Sequence, residues 1–189
     1  MYIGRDHPLS KLFAKLVARR FYKDVQVREP RVIDYVATLL TDFTHVDSLY
    51  RIRNARGQRL EDVGEMLIES DPRLEAASFD RERAVRKHIG DYTLFLTGLF
   101  PEYVASLSRR PIRLDAYIDY VKVGRESYQI VSSFDQFEYR DEAPLFRQLA
   151  DSFELCVFGL NLVKRDLEAL RDDAYTRWQT TLKPDKLTN

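Results

Sequence analysis

Residues 88–100 read HIGDYTLFLTGLF and form an apolar segment in the middle of the chain. Ile89, Tyr92 and Leu96 follow one another at steps of three and four residues, which places them on one face of a helix. The leucine and phenylalanine residues between them add apolar side chains to the other faces. A helix that is apolar nearly all round is buried in a core. The segment therefore predicts the central helix of a helical protein.

Hydrophobic spacing elsewhere in the chain is also helical, and it is uninterrupted at heptad intervals from Phe146 to Leu170. We predict an all-α fold, a single-domain bundle of about six helices, with long buried helices over about 82–107 and 144–171. The other four predicted helices cover about residues 9–24, 30–54, 60–70 and 114–134. Because the pattern fades after residue 171, we assign residues 1–172 to the domain and predict a polar, mobile C-terminal tail over 173–189.

The charges of the chain cancel, with 30 basic and 30 acidic side chains in 189 residues. A zero balance gives no general attraction to nucleic acid or to an anionic membrane, and no window is long and apolar enough to span a bilayer. We therefore expect neither nucleic acid nor a membrane as a partner. Cys156 is the only cysteine, so no internal disulfide forms. Without a signal-like apolar segment near the N-terminus, the sequence predicts a soluble, cytoplasmic protein.

Four polar side chains stand where the helical pattern favours apolar ones, and a buried charge is costly unless it is paired. His88 and Asp91 lie one turn apart on the central helix, with Asp47 on the second helix and Glu154 on the last. His and carboxylate side chains at this spacing ligate metals in helical di-iron proteins, so one interpretation is a site for iron, manganese or zinc. The alternative is structural, with Asp91 as the hydrogen-bond partner of His88. Asp47, Glu154 and Arg125 would then form a buried ion-pair network.

Tyrosines at helical spacing indicate a second kind of site. Tyr92, Tyr117 and Tyr128 converge if the central helix and the next long helix are antiparallel neighbours. A tyrosine combines an apolar ring with a polar tip, which suits the wall of a small-molecule pocket. The same positions also suit the edge of a core, which is the usual place of tyrosines at helical spacing. No sequence motif for a cofactor accompanies them, so we predict no particular cofactor.

The last predicted helix carries a second apolar stripe, Leu155, Phe158 and Leu162, opposite its heptad stripe. Such a helix needs cover on both sides, from its own domain or from another subunit. The chain has no nucleophile-elbow, phosphate-loop, dinucleotide or zinc-protease motif. We therefore expect a non-enzymatic structural or interaction protein that forms a homodimer through this stripe. The alternative is a metal- or ligand-dependent helical protein, such as an oxidoreductase, with its site near His88 and Asp91.

Overall fold

The structure, a computed structural model, describes residue 4 and residues 6–74, 76, 78–107 and 118–182. Ten α-helices follow one another within these ranges: α1 Pro8–Arg20, α2 Pro30–Asp42, α3 Val46–Leu49, α4 Val63–Glu69, α5 Phe79–Leu99, α6 Pro101–Leu107, α7 Tyr120–Ser133, α8 Ala143–Asp151, α9 Phe153–Leu170 and α10 Asp173–Leu182. A π-helical turn, Phe21–Val25, continues α1, and a 3-10 turn, Phe137–Tyr139, precedes α8. The β pairing in the described ranges is one isolated bridge. The all-α prediction is confirmed, whereas the number of helices is larger than six.

Three of the four extra helices arise because the three longest predicted helices are each divided, and the fourth is α10. The predicted helix over 30–54 ends at Asp42, and just beyond it the Thr44 hydroxyl donates to the Thr41 carbonyl at 2.6 Å, replacing a helical partner. The predicted helix over 82–107 restarts at Pro101, as expected of a residue that lacks an N–H and crowds the preceding turn. The predicted helix over 144–171 is divided at Ser152.

Helix α5 is the centre of the fold, as predicted. Its N-terminus is capped by Ser78, whose hydroxyl accepts a hydrogen bond from the backbone N–H of Arg81 at 3.1 Å. All residues from 88 to 100 are buried. Thr93 lies against Gly124 of α7, and Gly90, one turn earlier, lies against Tyr128, one turn later. Residue numbers rise on one helix as they fall on the other, so α5 and α7 are antiparallel.

Helix α9 buries only one of its two apolar faces. Cys156, Leu160 and Leu167 are fully buried on the face that packs against α5 and α1. Burial raises the pKa of the Cys156 thiol to about 11, so this side chain is an inert part of the core. Leu155 and Phe158, on the other face, are 49% and 53% exposed. The prediction of a helix buried on both sides therefore does not hold within a single chain.

Residues 173–182 form α10, a packed helix rather than the predicted tail. The Trp178 ring is 3% exposed, stacks on Phe13 at 5.5 Å, and donates from Nε1 to the carbonyl of Phe43 at 2.8 Å. Tyr175 stacks on Phe100 at 5.5 Å. Two of the four buried residues of α10 are aromatic, and the residues between them are polar, so a hydropathy pattern does not reveal the buried face. Residues 183–189 of the predicted tail lie outside the described residues.

We predict that Trp178→Ala lowers the free energy of unfolding by about 3–5 kcal/mol, because it removes a buried ring and its hydrogen bond to the chain after α2. Urea unfolding followed by circular dichroism measures this loss. The matched control is Arg177→Ala at the exposed neighbouring position, for which we expect a change within about 0.5 kcal/mol. Equal stability of the two variants would show that α10 contributes nothing to the core.

Candidate functional site

The centre of the site is the carboxylate of Asp91, which is 1% exposed in the middle of α5. Its Oδ1 accepts hydrogen bonds from the hydroxyl groups of Tyr35, at 2.5 Å, and Tyr128, at 2.8 Å. Its Oδ2 accepts one from Nζ of Lys87, at 3.0 Å, and lies 3.5 Å from an Nη atom of Arg51. Both oxygens are paired, and two cations compensate a charge that is costly to bury alone.

Four segments of the chain bring these groups together. Tyr35 lies on α2, Arg51 follows α3, and Tyr128 lies on α7. Lys87 precedes the carboxylate by one turn of α5, a spacing that puts the two side chains on the same side of the helix. The Tyr128 ring reaches the carboxylate by packing on Gly90, where an added Cβ would lie 2.5 Å from two ring carbons. A larger residue at position 90 would push this ring away.

The surroundings keep Asp91 ionised. Burial by itself raises the pKa of the carboxyl, but Lys87, the Tyr35 hydroxyl and Arg51 outweigh it, and the pKa lies below its ordinary value. Burial and the neighbouring carboxylate raise the pKa values of both Tyr35 and Tyr128 well above the ordinary range. The phenols therefore stay protonated and act as donors, and the carboxylate stays an acceptor.

His88 lies beside this network and is fully buried. Its Nδ1 accepts a hydrogen bond from Nε of Arg51 at 3.2 Å, and its ring stacks on Tyr92 with the ring centres 5.9 Å apart. Burial, followed by the positive charge of Arg51, lowers the pKa of the imidazole to about 3, while the Leu49 backbone favours the protonated ring only weakly. His88 is therefore neutral at physiological pH and serves as an acceptor that orients Arg51.

A partly open pocket of about 110 Å³ lies next to the network, between α2, the segment that follows it, and α5. Its lining combines groups of the network with hydroxyl, carboxylate and apolar groups. The lining residues are Tyr35, Thr38, Leu39 and Asp42 of α2, Phe43, Ser48 and Arg51 of the following segment, and Lys87 and Asp91 of α5. The buried, ionised carboxylate of Asp91 is thus part of the lining of the pocket.

Two of the four predicted metal ligands lie elsewhere. Asp47 is exposed on α3 and forms an ion pair with Arg59. Glu154 is exposed in the first turn of α9, with a carboxylate oxygen 3.4 Å from Nη1 of Arg125. The expected network of three residues is therefore two separate surface ion pairs. Asp47 was assigned to an apolar helical face because the periodicity of α2 was extended beyond residue 42, where the helix ends.

His88 and Asp91 do lie together, but a cation joins them. Arg51 donates from Nε to the imidazole and directs an Nη atom to the carboxylate. The guanidinium thus occupies the side of both groups that a shared metal ion would need. Within the described ranges, no three or more His, Cys, Asp or Glu side chains are grouped so that they can hold a metal ion.

The predicted tyrosine pocket is not the pocket beside Asp91. Tyr128 points at Asp91, whereas the Tyr92 hydroxyl donates to the carbonyl of Glu61 at 3.3 Å, and neither lines the cavity. Tyr117 lies outside the described residues. The tyrosine that does line the pocket is Tyr35, which the helical pattern of α2 left on a mixed face.

The predicted interface stripe lies on the outer side of α9. Leu155 and Phe158 are about half exposed, and Leu162 is partly buried against the core. Leu155 and Phe158 are three residues apart and form a small apolar patch on the surface of the helix.

The fold and the site together define an all-helical protein in which a buried, ion-paired carboxylate borders a small polar pocket. No helix in the described ranges combines the length and apolar character needed to cross a membrane. Comparison with known proteins finds no matching family model, no matching curated protein and no matching solved structure. The chemistry of the site is therefore the basis for a functional proposal.

We predict that His88 makes the stability of the fold depend on pH. Its pKa is 6.5 in the unfolded chain and about 3 in the fold, so the unfolded chain binds the extra proton between these values. Stability then decreases as the pH falls from 6.5 toward 3, by up to about 1.4 kcal/mol per pH unit from this residue. His88→Asn should remove this contribution while keeping an acceptor for Arg51.

Urea unfolding of both proteins between about pH 6.5 and 4.5 measures this difference in slope. The comparison uses the slopes rather than the absolute stabilities, so a general destabilisation by the substitution does not affect it. Identical slopes for the wild-type protein and His88→Asn would contradict a buried neutral imidazole.

Proposed function

We propose that the protein binds a small polar molecule in the pocket beside Asp91. The observation that carries this proposal is that Lys87 and Arg51 are held on a buried carboxylate at the wall of a pocket. A buried ion pair is a poor device for stability, because well-packed apolar residues in its place are often as stable. Its cost is better explained when the paired groups border space that a ligand can enter.

The size of the pocket limits the ligand. An apolar cavity of about 150 Å³ holds benzene, which has six non-hydrogen atoms, so a pocket of about 110 Å³ encloses roughly four. At about half the ceiling of ~1.5 kcal/mol per non-hydrogen atom, four atoms give roughly 3 kcal/mol. The expected dissociation constant is therefore in the range of about 1–10 mM.

Binding is a better interpretation than catalysis for these residues. Both oxygens of Asp91 already accept hydrogen bonds from strong donors, and the Nδ1 atom of His88 accepts one from Arg51. Neither group is free to take a proton from a substrate, as a general base must. Arg51 and Lys87, by contrast, are 48% and 27% exposed and retain donors that a ligand can use.

The test is ligand-observed NMR with five small probes: acetate, propionate, ethylamine, acetamide and L-alanine. We predict that at least one of them binds the wild-type protein, and that Thr38→Phe abolishes the binding by filling the pocket from its exposed rim. Thr38→Val is the matched control, because it keeps the volume of the side chain, and it should bind normally. Binding that survives in Thr38→Phe, or no binding of any probe, would contradict the proposal.

The exposed stripe on α9 supports a second candidate function, which is self-association as a homodimer. Leu155 and Phe158 expose about half of their surface to solvent. A second copy that covers this stripe with its own stripe would form a two-fold symmetric dimer. This function is compatible with ligand binding, because the stripe lies on α9 and the pocket is lined from α2, the segment after it and α5.

We predict that Phe158→Asp shifts the protein from dimer to monomer in sedimentation velocity, because a carboxylate would be buried without a partner. Phe137→Asp is the control, since Phe137 is even more exposed but lies in the 3-10 turn before α8. A wild-type monomer at all concentrations, or a dimer that persists in Phe158→Asp, would contradict this second function.

A further inference from the structure

The pocket separates positive from negative charge. On one wall Lys87 and Arg51 share the single carboxylate of Asp91, so two positive charges and one negative charge leave one positive charge uncompensated. On the rim stands Asp42, the last residue of α2. Its carboxylate has no hydrogen-bond or ion-pair partner among the described residues. The charged groups that line the pocket therefore sum to zero, with an excess positive charge around Asp91 and a separate negative charge at the exposed Asp42.

The lining also has an apolar part. Leu39 and Phe43 are buried side chains that contribute carbon surface to the pocket next to Asp42. Desolvation raises the pKa of the Asp42 carboxyl, and Arg51 and Lys87 act in the opposite direction. The rim carboxylate thus lies near enough to both cations to feel their charge and yet forms a salt bridge with neither.

We infer that the ligand is a small zwitterion, an amino acid with a short side chain such as alanine, whose carboxylate binds Arg51 and Lys87 and whose ammonium group binds Asp42. This inference rests on the proposed function of the pocket. A simple anion would satisfy the inner wall but would be repelled by the rim. A simple cation would be attracted to the rim and repelled by the wall. Only a molecule with both charges pairs both ends of the pocket.

The size and the wall agree with a short side chain. Alanine has six non-hydrogen atoms, more than the roughly four that the pocket encloses, so its ammonium end would lie in the opening beside the exposed Asp42. Its methyl group would contact the carbon surface of Leu39 and Phe43, whereas a long side chain would have to leave through the opening. Arg51 suits the carboxylate, because its planar guanidinium binds the two oxygens of a carboxylate together.

The experiment compares L-alanine with propionate, which lacks the ammonium group, and with ethylamine, which lacks the carboxylate, by NMR titration of the full-length protein. We expect L-alanine to bind at least about tenfold more tightly than either analogue, since each analogue leaves one charged end of the pocket unpaired. Asp42→Asn should weaken alanine binding by about tenfold or more and leave propionate as strong a ligand as alanine. Asp34→Asn is the control, because Asp34 is an exposed carboxylate on the same helix outside the pocket, and alanine affinity should be unchanged.

The outcomes separate this inference from the proposed function. If propionate binds as tightly as alanine and Thr38→Phe abolishes both, the pocket is an anion site and the zwitterion inference is wrong. Alanine affinity that does not change in Asp42→Asn would also overturn it. If acetamide alone binds and Thr38→Phe abolishes that binding, the pocket function stands without the zwitterion. If none of the five probes binds, both proposals fail.

Discussion

The ionised carboxylate of Asp91 is the interaction on which the centre of this structure depends. A buried charge requires partners, and its partners come from α2, from the segment after α3, from α5 itself and from α7. Each of these segments contributes one side chain that forms a hydrogen bond or an ion pair with Asp91. The polarity of the neighbouring pocket has the same origin, since the two cations that serve Asp91 form its positive wall.

Much of the fold was predictable from the sequence, because it follows from local periodicity. The burial of α5 and the division of the chain before Pro101 are properties of short segments. The helix count was not predictable in the same way. The end of α2 involves a side-chain hydrogen bond from Thr44, and the stripe of α9 continues through the interruption at Ser152 as though the helix were unbroken. Helix α10 was missed because its burial depends on aromatic contacts with distant residues.

The candidate site was predictable only in its centre. An aspartate inside the apolar segment of α5 requires partners, and this requirement singles out Asp91 from the sequence alone. The i, i+4 spacing indicates Lys87 as one of those partners. Tyr35 and Arg51 were not accessible, because their approach to α5 depends on where the chain turns after α2. Asp47 and Glu154 were selected by the same extrapolation of helical faces and lie on the surface.

The most direct measurement is the pH titration of the Asp91 side-chain carboxyl carbon by NMR, with Asp34 as an exposed internal reference. An ionised carboxylate with two phenolic donors and two cations should keep its deprotonated chemical shift from neutral pH down to below about 3.9, the ordinary value for aspartate. An Asp91 carboxyl that takes up a proton above about pH 4 while the protein is folded would contradict the ion-paired network and the charged pocket built on it.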